Sequence, residues 1–240
     1  MVRTGTDTVF IDRRDAGRQL ALRLTGLAPQ RPLVIALPRG GVPVAFEVAR
    51  MLAAPLEVLA VRKLGAPGNP ELAVGAIAEH GSAVLDAMTA ARVGMTQQVL
   101  DATVEREMRE LHRRVEHYRD GRAPADLRGR TVIVVDDGLA TGLTDVAAVR
   151  ALRAQGAGRI VVAVPVGARQ AVVLVGREAD EIVCHTTPAE LLGVGRWYRD
   201  FSPVSDEEVL ALLRAARSEA PPTPGSPPTR SPEPAVRPPA

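Results

Sequence analysis

The stretch VIVVDDGLATGLTD, Val132 to Asp145, places two adjacent carboxylates at the end of an apolar run and follows them with small and hydroxylated residues. The run predicts a buried β-strand, and the residues after it predict a loop that leads into a helix. Small residues let backbone N–H groups approach an anion, and a helix N-terminus adds a partial positive charge. The stretch therefore predicts a phosphate site with two acids, Asp136 and Asp137, beside it.

A sugar phosphate is the ligand that this combination suggests. Next to a bound phosphate, two carboxylates can accept hydrogen bonds from vicinal hydroxyls or hold a hydrated Mg²⁺. We therefore predict that Asp136 and Asp137 bind hydroxyls and, directly or through water, the metal. The simpler interpretation is that the acids only cap the next helix, but a cap requires one acid and no loop of glycine and threonine.

Two other kinds of site also place acids at strand ends. A P-loop NTPase needs a G-x-x-x-x-G-K-[ST] loop, and the sole lysine of this chain, Lys63, lies in VRKLG. A phospho-receiver domain needs a lysine downstream of its acids, whereas Lys63 lies upstream. The sequence therefore disfavours both classes.

The strand of the opening stretch belongs to a series of short apolar runs that alternate with helical patterns. The runs are LVIAL (33–37), LEVLAV (56–61), TVIVVDD (131–137), RIVVAVP (159–165) and EIVCH (181–185). The predicted helices are 42–53, 143–155, 170–177, one after Asp12 as its cap, and 206–217 behind Ser205. Near-continuous apolar strands indicate burial on both faces, so we predict a doubly wound α/β fold with a parallel sheet. In this fold, ligands bind outside the carboxyl ends of the strands.

We predict one domain over residues 1–218 with a core at about 30–186. Two segments interrupt the core: a flexible flap at 65–86, with a hairpin that turns at His80 and Gly81, and a long helix at 95–119. The apolar stripe of that helix is expected to pack on the domain or on a second subunit. Residues 219–240 are rich in proline and predict a disordered tail.

Composition limits the function classes. The net charge of the 240 residues is +2 and the long helix mixes both signs, so we expect no nucleic acid partner. The single cysteine, Cys184, excludes an internal disulfide framework. Neither a secretory signal pattern nor an apolar run of membrane-spanning length is visible, so we expect a cytoplasmic protein without a membrane partner.

Val132 to Thr144 resembles the phosphoribosyl-pyrophosphate (PRPP) signature of the type I phosphoribosyltransferases: four apolar residues, two acids, a spacer and a Thr-Gly-x-Thr turn. Two further segments follow in the family's order, LPRGGVP after the first strand and AVRKLG after the second. The resemblance covers about 33–185. The start FIDR and the end VGRWYRDF are similar to those of a bacterial subgroup of this family.

The resemblance implies a role for each matched residue. The 5-phosphate is expected at Ala140, Thr141, Gly142, Leu143 and Thr144. The ribose 2- and 3-hydroxyls are expected at Asp136 and Asp137. The pyrophosphate is expected at Arg39, Gly40, Gly41, Arg62 and Lys63, with Arg39 and Lys63 as the catalytic charges. The flap is expected to close over the reacting ribose and a small hood, 187–204, to complete the site.

The implied activity is a Mg²⁺-dependent transfer of the 5-phosphoribosyl group from PRPP to a nucleobase or similar nitrogen heterocycle, a step of nucleotide metabolism. In some purine-salvage members an aspartate stands where this chain has Ala140. The base is expected near Val194, Trp197, Tyr198 and Asp200, because aromatic rings stack on flat heterocycles. An alternative function stays open, that of a PRPP-sensing protein without turnover. Because members of the family are often dimers, a homodimer stays open as well.

Overall fold

A computed structural model describes residues 9–79 and 81–219 of the chain. His80, which was predicted at a turn, lies outside these ranges. The predicted tail lies outside them too, except for Glu219, which ends the last helix.

Eight strands form two sheets within the described residues. They are β1 (Leu33–Ala36), β2 (Leu56–Val58), β3 (Val61–Ala66), β4 (Asn69–Ala78), β5 (Ala83–Leu85), β6 (Thr131–Val135), β7 (Arg159–Val166) and β8 (Glu181–Thr186). The larger sheet has the order β2-β1-β6-β7-β8, and all of its pairings are parallel. Because Ala36 pairs with Val135, β1 and β6 end side by side at one edge.

Helices cover both faces of the parallel sheet and also pack on the smaller sheet. They are α1 (Arg13–Leu22), α2 (Gly41–Leu52), α3 (Ala87–Arg92), α4 (Gln97–Arg119), α5 (Leu143–Ala154), α6 (Arg169–Val175) and α7 (Asp206–Glu219). The helices α3 and α4 pack on the strands of the smaller sheet, and the others cover the parallel sheet. Asp12 caps α1 by accepting a hydrogen bond from the backbone N–H of Asp15, as its position before the helical pattern predicts. The helix predicted at 95–119 is α4. The short helix α3 before it was not predicted.

Alternate residues of the central strands face opposite layers. Val34 and Ile133 pack with α1, α2 and α7 in one core. Ile35 and Val134 pack with α5 and α6 in the other. This two-sided burial explains the near-continuous apolar runs and confirms the predicted doubly wound α/β fold.

The second sheet differs from the prediction. The run LEVLAV does not form one strand, because the chain leaves the parallel sheet after Val58 and enters β3 at Val61. β3, β4 and β5 form an antiparallel sheet, called here the flap sheet, over most of the segment predicted as a flexible loop with a small hairpin. Gly75, which indicated a loop, lies inside β4: a Cβ there would stand 2.4 Å from the carbonyl oxygen of Val84. Glycine in this strand thus permits a close backbone approach.

The long helix α4 packs its apolar stripe on the flap sheet of its own chain. Leu111 is fully buried against Leu64 and Ile77, and Leu100, Val104, Met108 and Val115 pack around them. The stripe was predicted to pack on the domain or on a second subunit, and the structure therefore supports packing on the domain. Among the described residues, no helix is both long and apolar enough to cross a membrane.

Candidate functional site

The loop after β1 lies against the end of β6. The backbone N–H of Leu37 donates to the carbonyl of Val135 at 2.9 Å, and the N–H of Gly41 donates to the carbonyl of Leu37 at 3.0 Å. The peptide between Pro38 and Arg39 is cis. These contacts bring Arg39–Gly41, called here the first loop, next to the two acids that follow β6.

Glycine is required at both first-loop positions by close contacts. A Cβ on Gly40 would lie 2.0 Å from Oδ2 of Asp137. A Cβ on Gly41 would lie 2.6 Å from the carbonyl oxygen of Val135 and 3.0 Å from the Cα of Asp136. At Gly41 the contacts are with backbone, so no side chain fits, and at Gly40 a side chain would have to displace the Asp137 carboxylate. The sequence Gly-Gly thus lets the first loop rest directly on the acids.

The two acids, Asp136 and Asp137, are held by different partners. Oδ1 of Asp136 accepts a hydrogen bond from the backbone N–H of Asp137 at 2.8 Å. Oδ2 of Asp137 accepts one from Nε of Arg13 at 2.8 Å. The hydroxyl of Tyr198 donates to the backbone carbonyl of Asp137 at 2.6 Å. Asp137 is therefore fixed by α1 and by the hood segment (187–204), while Asp136 has only a local contact of this kind.

A third acid, Asp145, lies in the same region and was given no role by the sequence patterns. It is 2% exposed, and its Oδ1 has no hydrogen-bond partner among the described residues. Burial raises its pKa to about 7, and the charge of Asp137 acts in the same direction. Burial, followed by the charges of Asp137 and Asp145, raises the pKa of Asp136 well above its ordinary value. The signal in the sequence was an acid in the first turn of α5, three residues after Gly142, where an ordinary helix cap also fits.

The loop Ala140–Thr144 leads from the acids into α5. Gly142 adopts φ +78° and stands at the N-cap position, where a left-handed conformation favours glycine. Ala140 and Thr141 are exposed, and Leu143 and Thr144 are partly exposed. The loop thus presents small residues, two hydroxyls and the N–H groups of the first turn of α5, which is the set of donors that suits an anion.

The basic residues predicted around the pyrophosphate are placed differently from one another. Arg62 and Lys63 do not follow the second strand of the parallel sheet but lie inside β3 of the flap sheet. Arg62 donates from Nε to the Glu107 carboxylate of α4 at 2.8 Å. Arg39 lies 3.9 Å from the Asp206 carboxylate, and its side chain is 43% exposed. Arg62 is therefore ion-paired within the protein, the Arg39 side chain is partly exposed, and Lys63 is exposed.

Two clefts meet beside the loop Ala140–Thr144. The larger, about 860 Å³, lies between this loop and the flap sheet, and Leu72, Leu85 and Met88 line its apolar part. The smaller, about 470 Å³, lies between the flap sheet and α4, and its lining includes Pro38, Arg62, Arg106 and Arg114. Lys63 and Thr144 line both clefts. A ligand at this junction can therefore contact the loop before α5 and the basic side of α4 together.

The aromatic residues of the hood segment are mostly structural. Tyr198 is 5% exposed and packs between Phe10 and Phe201, with ring centroids 5.5 Å and 5.0 Å away, so its ring is not open for stacking. Asp200 accepts hydrogen bonds from the backbone and side chain of Ser202. The groups of both residues thus take part in local structure, and a role for either in binding a base stays a prediction.

One residue of the hood segment, Val194, lies near the acids. Val194 lies over the end of β6, since a Cβ on Gly138 would stand 2.6 Å from its Cγ1. Trp197 is half-buried at the edge of the same aromatic cluster. The structure thus brings together the first loop, Asp136, Asp137, the loop before α5 and Val194, and it adds Arg13 and Asp145, which the sequence patterns missed.

Comparison with known proteins agrees with this geometry. A protein of Mycobacterium tuberculosis that bears the provisional name phosphoribosyl transferase is 49% identical over 211 residues, which cover 88% of this chain and 48% of that protein. The chain thus spans about half the length of the curated relatives it matches.

A crystal structure of a Thermus thermophilus protein is similar over most of the fold. Its TM-score is 0.72 at 45% sequence identity, with 85% of this chain and 97% of that chain covered. The family model described as phosphoribosyl transferase domain matches residues 15–188, from α1 to the start of the hood segment. The chain therefore belongs to the phosphoribosyl transferase domain family.

Proposed function

We propose that the protein transfers the 5-phosphoribosyl group of PRPP to a nitrogen heterocycle such as a nucleobase and releases pyrophosphate. The observation that carries this proposal is the close approach of Gly40, in the first loop, to the Asp137 carboxylate. Asp137 in turn lies shortly before the loop Ala140–Thr144, which leads into α5. PRPP carries vicinal hydroxyls between a phosphate and a diphosphate. A site for it needs acceptors flanked by two anion-binding elements, which is the order found here.

Each part of PRPP has a matching element. The 5-phosphate is assigned to the loop Ala140–Thr144, whose backbone N–H groups and hydroxyls are donors. The ribose hydroxyls are assigned to Asp136 and Asp137, which are acceptors when ionised. The pyrophosphate is assigned to the first loop and to Lys63, because Lys63 and Pro38, the residue directly before the first loop, line the smaller, basic cleft.

The chemistry follows from this arrangement. The bond from C1 of ribose to the pyrophosphate oxygen breaks and a bond from C1 to the heterocycle nitrogen forms, while the nitrogen loses its proton. Positive charge builds on the ribose and negative charge on the leaving oxygens. The charges of Arg39 and Lys63 stabilise the leaving group, and closure of the flap sheet over the ribose would exclude water. This mechanism requires no nucleophilic side chain.

The acids suit a Mg²⁺ ion that arrives with the substrate. Among residues 9–79 and 81–219, no group of three or more histidine, cysteine or acidic side chains is arranged to hold a metal. Mg²⁺ keeps several waters and is commonly bound by one or two carboxylates together with phosphate oxygens, which Asp136 and Asp137 can provide. When bound, the ion would neutralise charge on the diphosphate.

For the acceptor, we propose a flat nitrogen heterocycle that lies between the ribose site and the hood segment. Val194 lies against Gly138, the residue that directly follows the acids. Trp197, close to Val194 in sequence, has a half-buried ring. Both can contact a ring by packing rather than by charge. A place in nucleotide metabolism is part of the same proposal, because the product is a nucleotide.

A PRPP-binding protein without turnover is the second candidate. The ion pair between Arg62 and Glu107 favours it, because this pair removes one of the predicted cations from the leaving group. Such a protein would bind PRPP through the same acids and loops. It would release no pyrophosphate with any base.

Two measurements test the proposal. Calorimetry with PRPP and Mg²⁺ should show binding to the wild type and a loss of at least about tenfold in the Asp136→Asn/Asp137→Asn variant, because hydrogen bonds to charged groups are lost. The exposed Asp101→Asn serves as the control for loss of a carboxylate. Equal binding by all three proteins would overturn the site. Pyrophosphate release with one member of a pool of bases would establish transfer, and tight binding without release would favour the second candidate.

A further inference from the structure

Arg13 is the residue that α1 contributes to the site. Its side chain is 11% exposed, and its Nε donates to Oδ2 of Asp137 at 2.8 Å. One terminal nitrogen donates to the carbonyl of Ser202 at 2.8 Å. The guanidinium carbon lies 3.8 Å from the ring centroid of Phe201, a cation-π contact. Three different groups therefore fix the guanidinium, and the carboxylate is one of them.

Beside this contact, two segments that the site motifs do not include pair with each other. The backbone N–H of Phe10 donates to the carbonyl of Trp197, and the N–H of Arg199 donates to the carbonyl of Phe10, each at 2.8 Å. The N–H of Asp200 donates to the carbonyl of Ile11 at 2.9 Å. The segments FIDR and VGRWYRDF, similar to those of a bacterial subgroup, thus pair with each other and meet at Asp137.

The contacts leave Asp137 with one unassigned oxygen. Oδ2 accepts a hydrogen bond from Arg13. It also lies so close to Gly40 that a Cβ on this glycine would be 2.0 Å away. Rotation of the carboxylate would move Oδ2 away from both Arg13 and Gly40. Oδ1 is then the oxygen that a ligand can use, and its direction is set by the Arg13 contact. Arginine suits this role because its planar group presents donors in a fixed geometry, which lysine does not.

We propose that Arg13 is a positioning residue of the ribose subsite, which holds Oδ2 of Asp137 so that Oδ1 accepts a hydrogen bond from one ribose hydroxyl. The proposal rests on the proposed function, since it assumes that a ribose phosphate binds at Asp137. It also assigns a purpose to the paired terminal segments: through Phe201 and Ser202 they hold the guanidinium in place.

A purely structural ion pair predicts a different result from a positioning contact. If Arg13 only stabilises the fold, its loss weakens the binding of all ligands of the site alike. If Arg13 positions Asp137, its loss abolishes the preference for one hydroxyl and leaves the affinity for the 5-phosphate nearly unchanged. The ratio of two affinities therefore separates the roles.

The experiment compares ribose 5-phosphate with its 2-deoxy and 3-deoxy analogues by calorimetry. The wild type should prefer ribose 5-phosphate over each analogue by about tenfold or more, since each analogue lacks a hydrogen bond to a carboxylate. Asp137→Asn identifies the hydroxyl that depends on this residue. In Arg13→Leu, the preference for that same hydroxyl should fall to about one, while the preference for the other hydroxyl stays.

Arg13→Lys and Arg14→Leu complete the set. Arg13→Lys keeps the charge but cannot contact Asp137, Ser202 and Phe201 together, so it should retain an intermediate preference. Arg14, one residue along and 49% exposed, lies 3.9 Å from Glu47 and serves as the matched control with an unchanged preference. If Arg13→Leu does not fold, Arg13→Lys and Phe201→Leu carry the test, each with a preference lowered several-fold.

Two outcomes overturn the inference. One is that the folded Arg13 variants keep both hydroxyl preferences at the wild-type value. The other is that they lose affinity for all three sugar phosphates by the same factor. A wild type that binds none of the sugar phosphates, or binds them without preference, instead contradicts the proposed function.

Discussion

A Cβ on Gly40 would lie 2.0 Å from Oδ2 of Asp137, although the two residues follow different strands of the sheet. The loop after β1 and the acids after β6 therefore form one packed unit. In consequence, the shape of the first loop and the position of the Asp137 carboxylate cannot change independently.

Gly40→Ala and Gly41→Ala are expected to damage both stability and anion binding. Each added methyl group would collide with the acids or with the Val135 carbonyl, and such overpacking costs about 1–3 kcal/mol. Chemical denaturation gives the free energy of unfolding, and calorimetry with pyrophosphate and Mg²⁺ gives the binding. Gly26→Ala is the control, because its Cβ would meet nothing within 4 Å. If Gly40→Ala behaves like Gly26→Ala in both measurements, the packed unit is not needed for binding.

The parallel sheet could be predicted because its strands are buried on both faces. Every position from Val132 to Val135 is apolar, which is typical of a parallel strand that is covered on both faces, and the neighbouring runs share that pattern. The flap sheet could not be predicted in the same way. Its longest strand, β4, contains proline and glycine, and at Gly75 its backbone lies so close to the Val84 carbonyl of β5 that no apolar side chain marks the position.

The site shows a similar division. Asp136, Asp137 and the loop before α5 are contiguous in sequence, so their spacing alone indicated a site. Arg13 is 124 residues from Asp137, and only the fold brings them together. Arg62 was expected at the pyrophosphate as part of the basic pair Arg62-Lys63, and the fold adds an ion pair with Glu107, 45 residues away. Contacts between distant segments decide which charges a ligand can reach.

Lys63 offers a direct test of the junction between the two clefts, because it is the only lysine among the 30 basic residues of the chain. Acetylation of lysine by an N-hydroxysuccinimide ester therefore reports on one side chain. PRPP or pyrophosphate with Mg²⁺ is expected to slow the reaction several-fold, since either ligand covers Lys63. Mass spectrometry of the peptide that contains residue 63 measures the rate, with sodium chloride at equal ionic strength as the control. An unchanged rate with saturating ligand would place the ligand elsewhere.

The ion pair between Arg62 and Glu107 is expected to compete with the pyrophosphate. Glu107→Gln keeps the side-chain volume, removes the carboxylate that Arg62 contacts at 2.7 Å, and frees the guanidinium for an anion. We expect pyrophosphate to bind about two- to fivefold more tightly, the worth of a partly exposed ion pair. Arg62→Gln should not gain affinity. Glu105→Gln, an exposed acid on the same helix, controls for net charge, and calorimetry gives the constants. A gain of equal size in Glu105→Gln would assign the effect to charge alone.

Asp145 is expected to make stability fall as pH rises. Its folded pKa of about 7 lies above its ordinary value of 3.8, so between these values the folded state retains a proton that the unfolded state has released. The contribution of Asp145 to stability is therefore fully present below about pH 4 and is lost as the pH rises to about 7.

Asp145→Asn removes this titration while keeping the shape of the side chain. The variant should be close to the wild type near pH 4 and more stable by up to a few kcal/mol above pH 7, since each unit of pKa shift corresponds to about 1.4 kcal/mol. Asp136 and Asp137 are present in both proteins, so the difference between the two curves reports the titration of Asp145 together with its coupling to these two neighbours. Denaturation of the ligand-free proteins from pH 4 to pH 8 measures it, with Asp101→Asn as the control for an exposed carboxylate. A difference that does not grow with pH would mean that Asp145 is ionised in the folded protein throughout this range, with its charge compensated.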